Sequence, residues 1–186
     1  MHAAVFLDRD DTLIATTDAT ADSAAPGDLF EPSRVRLLPT VAESLKRLAD
    51  AGFALVVVSN QGALAAGRCS LTQAEATNDR MRALLAEESV TLAGVYMAPR
   101  RPGGTLERFM HDPDVWRKPG PGMFLAAAKE LGVDLDRSWM IGDAERDLVA
   151  GQVAGIAPWR CVRVGAPDVP DMKSACDRVL GRPLSR

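Results

Sequence analysis

The chain is short of the residues that staple small secreted domains. Its 186 residues include three cysteines, Cys69, Cys161 and Cys176, widely spaced and odd in number. A disulfide framework needs paired cysteines, so these read as reduced thiols of a cytoplasmic protein, and no two have the spacing of a metal-ligand pair. Long apolar runs are missing as well: the longest, around Phe53 to Val58, is far too short to cross a bilayer. Met1-His2 leads straight into apolar residues, without the basic segment and long apolar stretch of a signal peptide, so none is expected. Nor is there an excess of one charge. A formal net charge of −3 excludes a molecule that holds nucleic acid by its overall field, and aromatic residues, at 5%, are too few for a base-stacking surface. No repeat or low-complexity tract is present.

What is there is an alternation of apolar strands and amphipathic helices. The length fits one domain over residues 1–186, with a core over about residues 3–165 and a polar tail over 167–186. Buried strands are expected at Ala3 to Leu7, Phe53 to Val58, Leu92 to Met97, Trp139 to Ile141 and Cys161 to Val164. Thr40-Val41-Ala42-Glu43 resembles a capping box, with Val41, Leu45 and Leu48 following at helical spacing and Gly52 ending that helix. Thr72 and Glu75 suit the start of a helix reaching about Glu88; further helices are expected at about Gly122 to Leu131 and Ala144 to Ala154, with a short one near Lys173 to Leu180. Residues from Ala15 to Asp28 read as a polar loop, and Pro99 to Pro121 as an irregular segment. Apolar strands alternating with helices imply an α/β fold, a doubly wound parallel sheet covered on both faces in three layers.

In such sheets ligands bind beyond the C-terminal ends of the strands, and the polar candidates fall there. Asp8 and Asp10 follow the first strand two residues apart, so alternation can point both to one side. Two carboxylates so close repel unless a cation or a proton intervenes, an arrangement suited to one metal-bound nucleophile and one proton carrier. Ser59-Asn60-Gln61 follow the second strand and Gly142-Asp143 the fourth. Taken singly, Ser59-Asn60 reads as a helix-entry turn, Lys118 as a solvated charge and Asp143 as a helix cap. Convergence at strand ends is what carries the catalytic reading.

Four segments in order, Asp8-Arg9-Asp10-Asp11-Thr12, Ser59-Asn60-Gln61, Arg117-Lys118-Pro119 and Gly142-Asp143-Ala144-Glu145-Arg146-Asp147, resemble the signatures of the haloacid dehalogenase (HAD) phosphohydrolase superfamily. The resemblance covers about Ala3 to Val164. It implies that Asp8 attacks phosphorus to form an aspartyl-phosphate, and that Asp10 protonates the leaving oxygen and then takes a proton from water. It also implies a Mg²⁺ ion held by Asp8, the backbone carbonyl of Asp10 and Asp143, keeping Asp8 ionised while its neighbour retains a proton. Ser59 and the backbone N–H of Asn60 donate to the phosphoryl group, Gln61 belongs to the same phosphate-binding segment, Lys118 neutralises charge, Thr12 fixes the turn and Asp147 orients a water or Lys118.

Large members of this superfamily insert a cap domain after the first or third strand. Here Leu13 to Pro39 and Ala98 to Trp116 are too short for a folded cap, so a capless enzyme with an open site is implied. Within that group the chain most resembles the heptose 1,7-bisphosphate and histidinol-phosphate phosphatase family. A small phosphorylated metabolite is the implied substrate, most of all D-glycero-D-manno-heptose 1,7-bisphosphate, with histidinol phosphate as the alternative and a nucleic-acid 3′-phosphate behind it. Arg117 matches the arginine that contacts the phosphate not being cleaved, a role suited to a guanidinium. The chain departs from the family at three places. The positions matching a structural zinc site are Ala98, Arg100, Asp114 and Trp116, which cannot hold zinc, and His111 does not rescue it, so no structural zinc is expected. Asp11 stands where glycine is usual, and the loop after the first motif is longer than typical. The loop that lacks zinc ligands carries Arg100, Arg101 and Arg108. No membrane or nucleic-acid partner is expected, and the chain is taken as a monomer or weak homo-oligomer.

Overall fold

A computed structural model describes residues 2–99 and 115–181. Five parallel strands form one sheet in the order β3-β2-β1-β4-β5, from β1 (Ala4–Leu7), β2 (Ala54–Asn60), β3 (Gly94–Ala98), β4 (Trp139–Gly142) and β5 (Cys161–Arg163). Short apolar runs separated by long connections leave a parallel sheet as the way to pair every strand. Residues of β1 alternate between two cores. Val5 and Leu7 join one cluster with Leu55, Val57 and Ile141, whereas Ala4 and Phe6 join another with Val56, Val58 and Met140.

Helices cover both faces. On the first lie α2 (Val41–Asp50), α4 (Leu71–Glu87) and α7 (Met172–Val179), contributing Leu45, Leu48, Met81, Leu85 and Met172. On the second lie α5 (Gly122–Leu131) and α6 (Glu145–Ala154), where Phe124 stacks on Phe6 with ring centroids 4.7 Å apart. Two short helices, α1 (Thr16–Thr20) and α3 (Gly62–Ala65), follow the ends of β1 and β2. The three-layer doubly wound fold is the one expected.

The register decides where the site lies. Leu7 pairs with Val57 on one side and Ile141 on the other, so Asp8, Val58 and Gly142 come level just beyond the sheet's centre. The strand order also reverses direction between β1 and β4, which opens a crevice between the loops that follow them. Among the described residues, the stretch from β1 to α2 holds α1 and a 3-10 turn at Pro32–Arg34 and no further domain.

Several local expectations need correction. Thr40 forms no capping box: it sits at φ 64° with no side-chain cap bond, because the chain turns left-handed into α2. The capping box belongs to Ser70 and Gln73, two residues ahead of the expected pair, and starts α4. Residues 15–28 contain α1 rather than loop throughout, and β2 extends to Asn60, which puts Ser59 and Asn60 inside the strand's last turn of pleat. β3 starts two residues later than expected, at Gly94. The segment after Pro167 is more than polar tail: Met172, Ala175, Cys176 and Val179 are buried against α2, and Arg47 of α2 bonds Asp177 of α7 at 2.6 Å. Arg100, Arg101, Arg108 and His111 lie outside the described residues, as does most of the segment expected to be irregular.

Candidate active site

Asp8 continues β1 by one residue, its N–H bonding Ile141 O at 2.9 Å, and its side chain is buried. Lys118 reaches it from the loop before α5. Its ammonium lies 2.5 Å from Asp8 Oδ1, 2.8 Å from Asp147 Oδ1 and 2.7 Å from Val58 O, and none of it is exposed. The contacts to Asp8 and Val58 are hydrogen bonds, and the one to Asp147 is an ion pair. Asn60 sets the position of Lys118: its side-chain amide donates to Lys118 O at 2.9 Å and accepts from Lys118 N–H at 3.0 Å.

Asp143 and Asp147 complete the group. One carboxylate oxygen from each of Asp8, Asp143 and Asp147 lies within 4.8 Å of the others. Asp147 is already engaged, with Oδ1 on Lys118 and Oδ2 accepting the Ala144 N–H at 3.0 Å. Asp8 Oδ2 and Asp143 Oδ1 are buried without a hydrogen-bond donor. Gly142 is required here, since a Cβ would come 2.6 Å from Asp147 Cβ.

The electrostatics follow from this crowding. Burial, opposed by Lys118 and reinforced by Asp147 and Asp10, pushes the Asp8 carboxyl up to about 7. Burial and Asp147 likewise raise Asp143. Burial works against the charge on Lys118, yet Asp8 and Asp147 outweigh it and raise its pKa. Such a site has room for more positive charge. Oxygen donors, two of them buried and unpaired, fit a hard divalent cation such as Mg²⁺.

Asp10 stands apart from that group. Its carboxylate accepts from Arg9 at 3.0 Å, Thr16 at 2.6 Å and Gln61 at 3.0 Å, and keeps 22% of its surface open. Burial raises its pKa, but the Arg9 charge and the bonds from Thr16, Arg9 and Gln61 win, leaving it below the ordinary value. The two motif carboxyls are thus pushed apart, Asp8 upward and Asp10 downward. The cause is the burial of Asp8 among carboxylates and the guanidinium beside Asp10.

Ser59 and Gln61 are buried next to Asp10, Gln61 donating to Ser59 Oγ at 2.7 Å, while Ser59 Oγ stands 3.4 Å from Asp10 Oδ2. Arg117 is partly buried beside Lys118. The hydroxyl of Thr12 finds no partner among the described residues. The turn is held by other groups: Leu13 and Ile14 N–H bond Arg9 O, and Asp11, at φ 54°, accepts from Thr17 N at 2.8 Å and Thr17 Oγ1 at 2.5 Å. Of the positions matching a zinc site, Ala98 is buried at the end of β3 and Trp116 donates its indole N–H to Met97 O at 3.0 Å, while Arg100 and Asp114 lie outside the described residues. Arg9, Thr16 and Asn78 were not picked out from the sequence. Their signal is a buried guanidinium whose partners lie up to 69 residues away.

Comparison with known proteins agrees with this geometry. The family model described as polynucleotide kinase 3 phosphatase matches residues 3–162. The chain is 36% identical over 177 residues to a D-glycero-beta-D-manno-heptose-1,7-bisphosphate 7-phosphatase of Escherichia coli, covering 95% of this chain and 88% of that one. A protein of the same name from Pasteurella multocida is 36% identical over 180 residues, covering 97% and 92%. Among solved structures, one described as a HAD-like phosphatase from Mesorhizobium loti superposes with a TM-score of 0.83 at 29% identity, over 96% of this chain and 85% of that one. The D,D-heptose 1,7-bisphosphate phosphatase of B. bronchiseptica, solved with magnesium and phosphate, shares the fold with a TM-score of 0.76 at 24% identity, over 97% and 99%. A model match over most of the chain, relatives above 30% identity and the motif residues gathered at one crevice place the chain in the polynucleotide kinase 3 phosphatase family of HAD-type phosphatases.

Proposed function

We propose that the chain is a Mg²⁺-dependent phosphomonoesterase that hydrolyses a sugar bisphosphate, D-glycero-D-manno-heptose 1,7-bisphosphate being the candidate substrate. The observation that carries the reaction is the buried group of Asp8, Lys118, Asp143 and Asp147 at the crevice between β1 and β4. Support for the substrate comes from the names of the relatives at 36% identity.

Asp8 and Asp143, the two with buried oxygens to spare, would hold the ion together with the main-chain carbonyl of Asp10. When bound, Mg²⁺ would supply positive charge that favours the ionised form of Asp8 and offsets the negative charge of the phosphoryl group. Asp8 attacks phosphorus and becomes an aspartyl-phosphate, dividing one difficult displacement into two. Asp10 gives its proton to the leaving oxygen and takes one from the water that attacks next. Lys118, fixed by Asn60 and Asp147, neutralises charge on Asp8 and the phosphoryl oxygens, to which Ser59 Oγ and the Asn60 N–H donate. Arg117 binds the phosphate that is not cleaved, since its guanidinium can take two oxygens at once.

Phosphate release from heptose 1,7-bisphosphate by the purified protein with MgCl₂ tests this, run beside histidinol phosphate and a 3′-phosphorylated oligonucleotide. Turnover of the bisphosphate and its loss in Asp8→Asn are expected. Faster turnover of histidinol phosphate would move the substrate to its neighbour in the same family. The oligonucleotide is included because the family description names polynucleotides, while the net charge of −3 weighs against it.

A further inference from the structure

We propose that Arg9 is a positioning residue that, with Thr16, fixes which oxygen of Asp10 exchanges the proton. The inference rests on the acid–base reading of Asp10 given above and adds a device to it.

Arg9 lies between the two motif aspartates, where strand alternation turns it away from the crevice that Asp8 faces. A surface outlet would be the ordinary fate of such a side chain. Instead it is 1% exposed and the bulkiest of the fully buried side chains. Every nitrogen of its guanidinium has a partner: Nη1 donates to Asn78 Oδ1 at 2.9 Å, Nη2 to Asp10 Oδ1 at 3.0 Å and to Leu29 O at 3.4 Å, and Nε to Asp10 Oδ1 at 3.3 Å. Asn78 belongs to α4 and Leu29 to the loop before α2, so three separate parts of the chain hold the plane of the fork. Apolar packing would fill this space at less cost than a buried cation, so its presence calls for a reason.

The partners of Asp10 supply that reason. Oδ1 accepts from Arg9 Nε, Arg9 Nη2 and Thr16 Oγ1, which uses up its lone pairs. Oδ2 has the weaker set, Gln61 Nε2 at 3.0 Å and Ser59 Oγ at 3.4 Å. That leaves Oδ2, with its longer contact to Ser59, the residue assigned to the phosphoryl group, as the oxygen open to proton exchange. A carboxyl group free to rotate about its χ2 bond would offer the wrong oxygen part of the time. Arg9 and Thr16 lock that rotation, and Asn78 locks Arg9.

A leaving-group comparison distinguishes this role from simple support of the fold. p-Nitrophenolate departs without protonation, whereas a sugar alkoxide needs the proton of Asp10. Pre-steady-state kinetics of Arg9→Gln and Thr16→Val are therefore measured with p-nitrophenyl phosphate and with the sugar bisphosphate. With the sugar ester, kcat should fall at least about 100-fold and KM should stay within about 3-fold, the size of a lost acid–base contribution. With the aryl ester, the first equivalent of p-nitrophenolate should appear within about 3-fold of the wild-type rate. Steady turnover should then be slow, because Asp10 must still activate water in the second half-reaction. Thr16→Val removes one 2.6 Å bond at nearly constant volume and keeps the test decisive if Arg9→Gln fails to fold. Equal losses for both esters and both phases would overturn the role of Arg9. No turnover of either ester by the wild type would overturn the phosphatase reading, and this inference with it.

Discussion

Replacing Lys118 with methionine keeps the volume of the side chain and removes one charge from a group that is wholly buried. The ammonium stands 2.5 Å from Asp8 and 2.8 Å from Asp147, and neither its own side chain nor that of Asp147 has measurable exposure. Without it, three carboxylates within 4.8 Å face one another, and Asp8 and Asp147 lose the charge that sits between them. Removing one partner of a buried pair costs about 3–5 kcal/mol, because the remaining charge stays desolvated. At about 2–4 °C per kcal/mol for a chain of this size, melting should fall by roughly 10 °C in Mg²⁺-free buffer. Differential scanning calorimetry is the assay. Millimolar MgCl₂ should recover part of the loss by returning positive charge to the site, and activity should remain depressed about 100-fold or more, as when a preorganised electrostatic partner is lost. Asp147→Asn keeps the acceptor for the Ala144 N–H, so Lys118→Met/Asp147→Asn should lose less stability than the two single variants added together. An unchanged or raised melting temperature in Lys118→Met would refute the reasoning, since it would mean the carboxylates are solvated and do not confront one another.

Three further outcomes are expected. Gly142→Ala forces a Cβ to within 2.7 Å of Asp147 Oδ2, and an overpacking cost of about 2 kcal/mol should appear in urea unfolding together with a loss of turnover. Asp11→Ala keeps a Cβ at φ 54° and loses both bonds to Thr17, so denaturant titration should show a drop of about 1–2 kcal/mol, with a smaller one for Asp11→Gly, which has no left-handed penalty. At the contact of α2 with α7, bonds from Arg47 and Lys173 hold Asp177 below the ordinary carboxyl value. A depressed folded pKa stabilises at pH above the unfolded value of about 4 and loses that contribution as the pH falls through the folded value. Asp177→Asn should thus cost about 2 kcal/mol at pH 6, a gap that closes towards pH 3 in a series of urea titrations.

The parts of this molecule legible in its sequence are those written in adjacent residues. Apolar runs ending in Asp8, Ser59 and Gly142-Asp143 reveal both the strands and the polar groups at their ends, because period and position are local properties. The first turn of α4 shows the limit: Thr72 and Ser70 are both sound caps, and the choice falls to Ser70 once Gln73 can return its bond. Thr40 has a capping sequence, but the backbone arrives left-handed and the hydroxyl cannot reach the first N–H groups. Met172, Ala175, Cys176 and Val179 do fall at helical spacing, yet eight residues among charged neighbours give too little contrast to separate a core helix from a surface one. Arg9 was hidden for a different reason. Nothing near it in sequence announces that Asn78 and Leu29 will close around it, and a guanidinium between two aspartates looks solvated until those partners arrive.

The paired bonds between the Asn60 amide and the main chain of Lys118 work as a clamp of the kind one base applies to another. They make β2 the ruler from which the ammonium is measured. The charge at the reaction centre is thereby referred to the sheet itself, since the asparagine that grips the main chain of Lys118 is the last residue of β2.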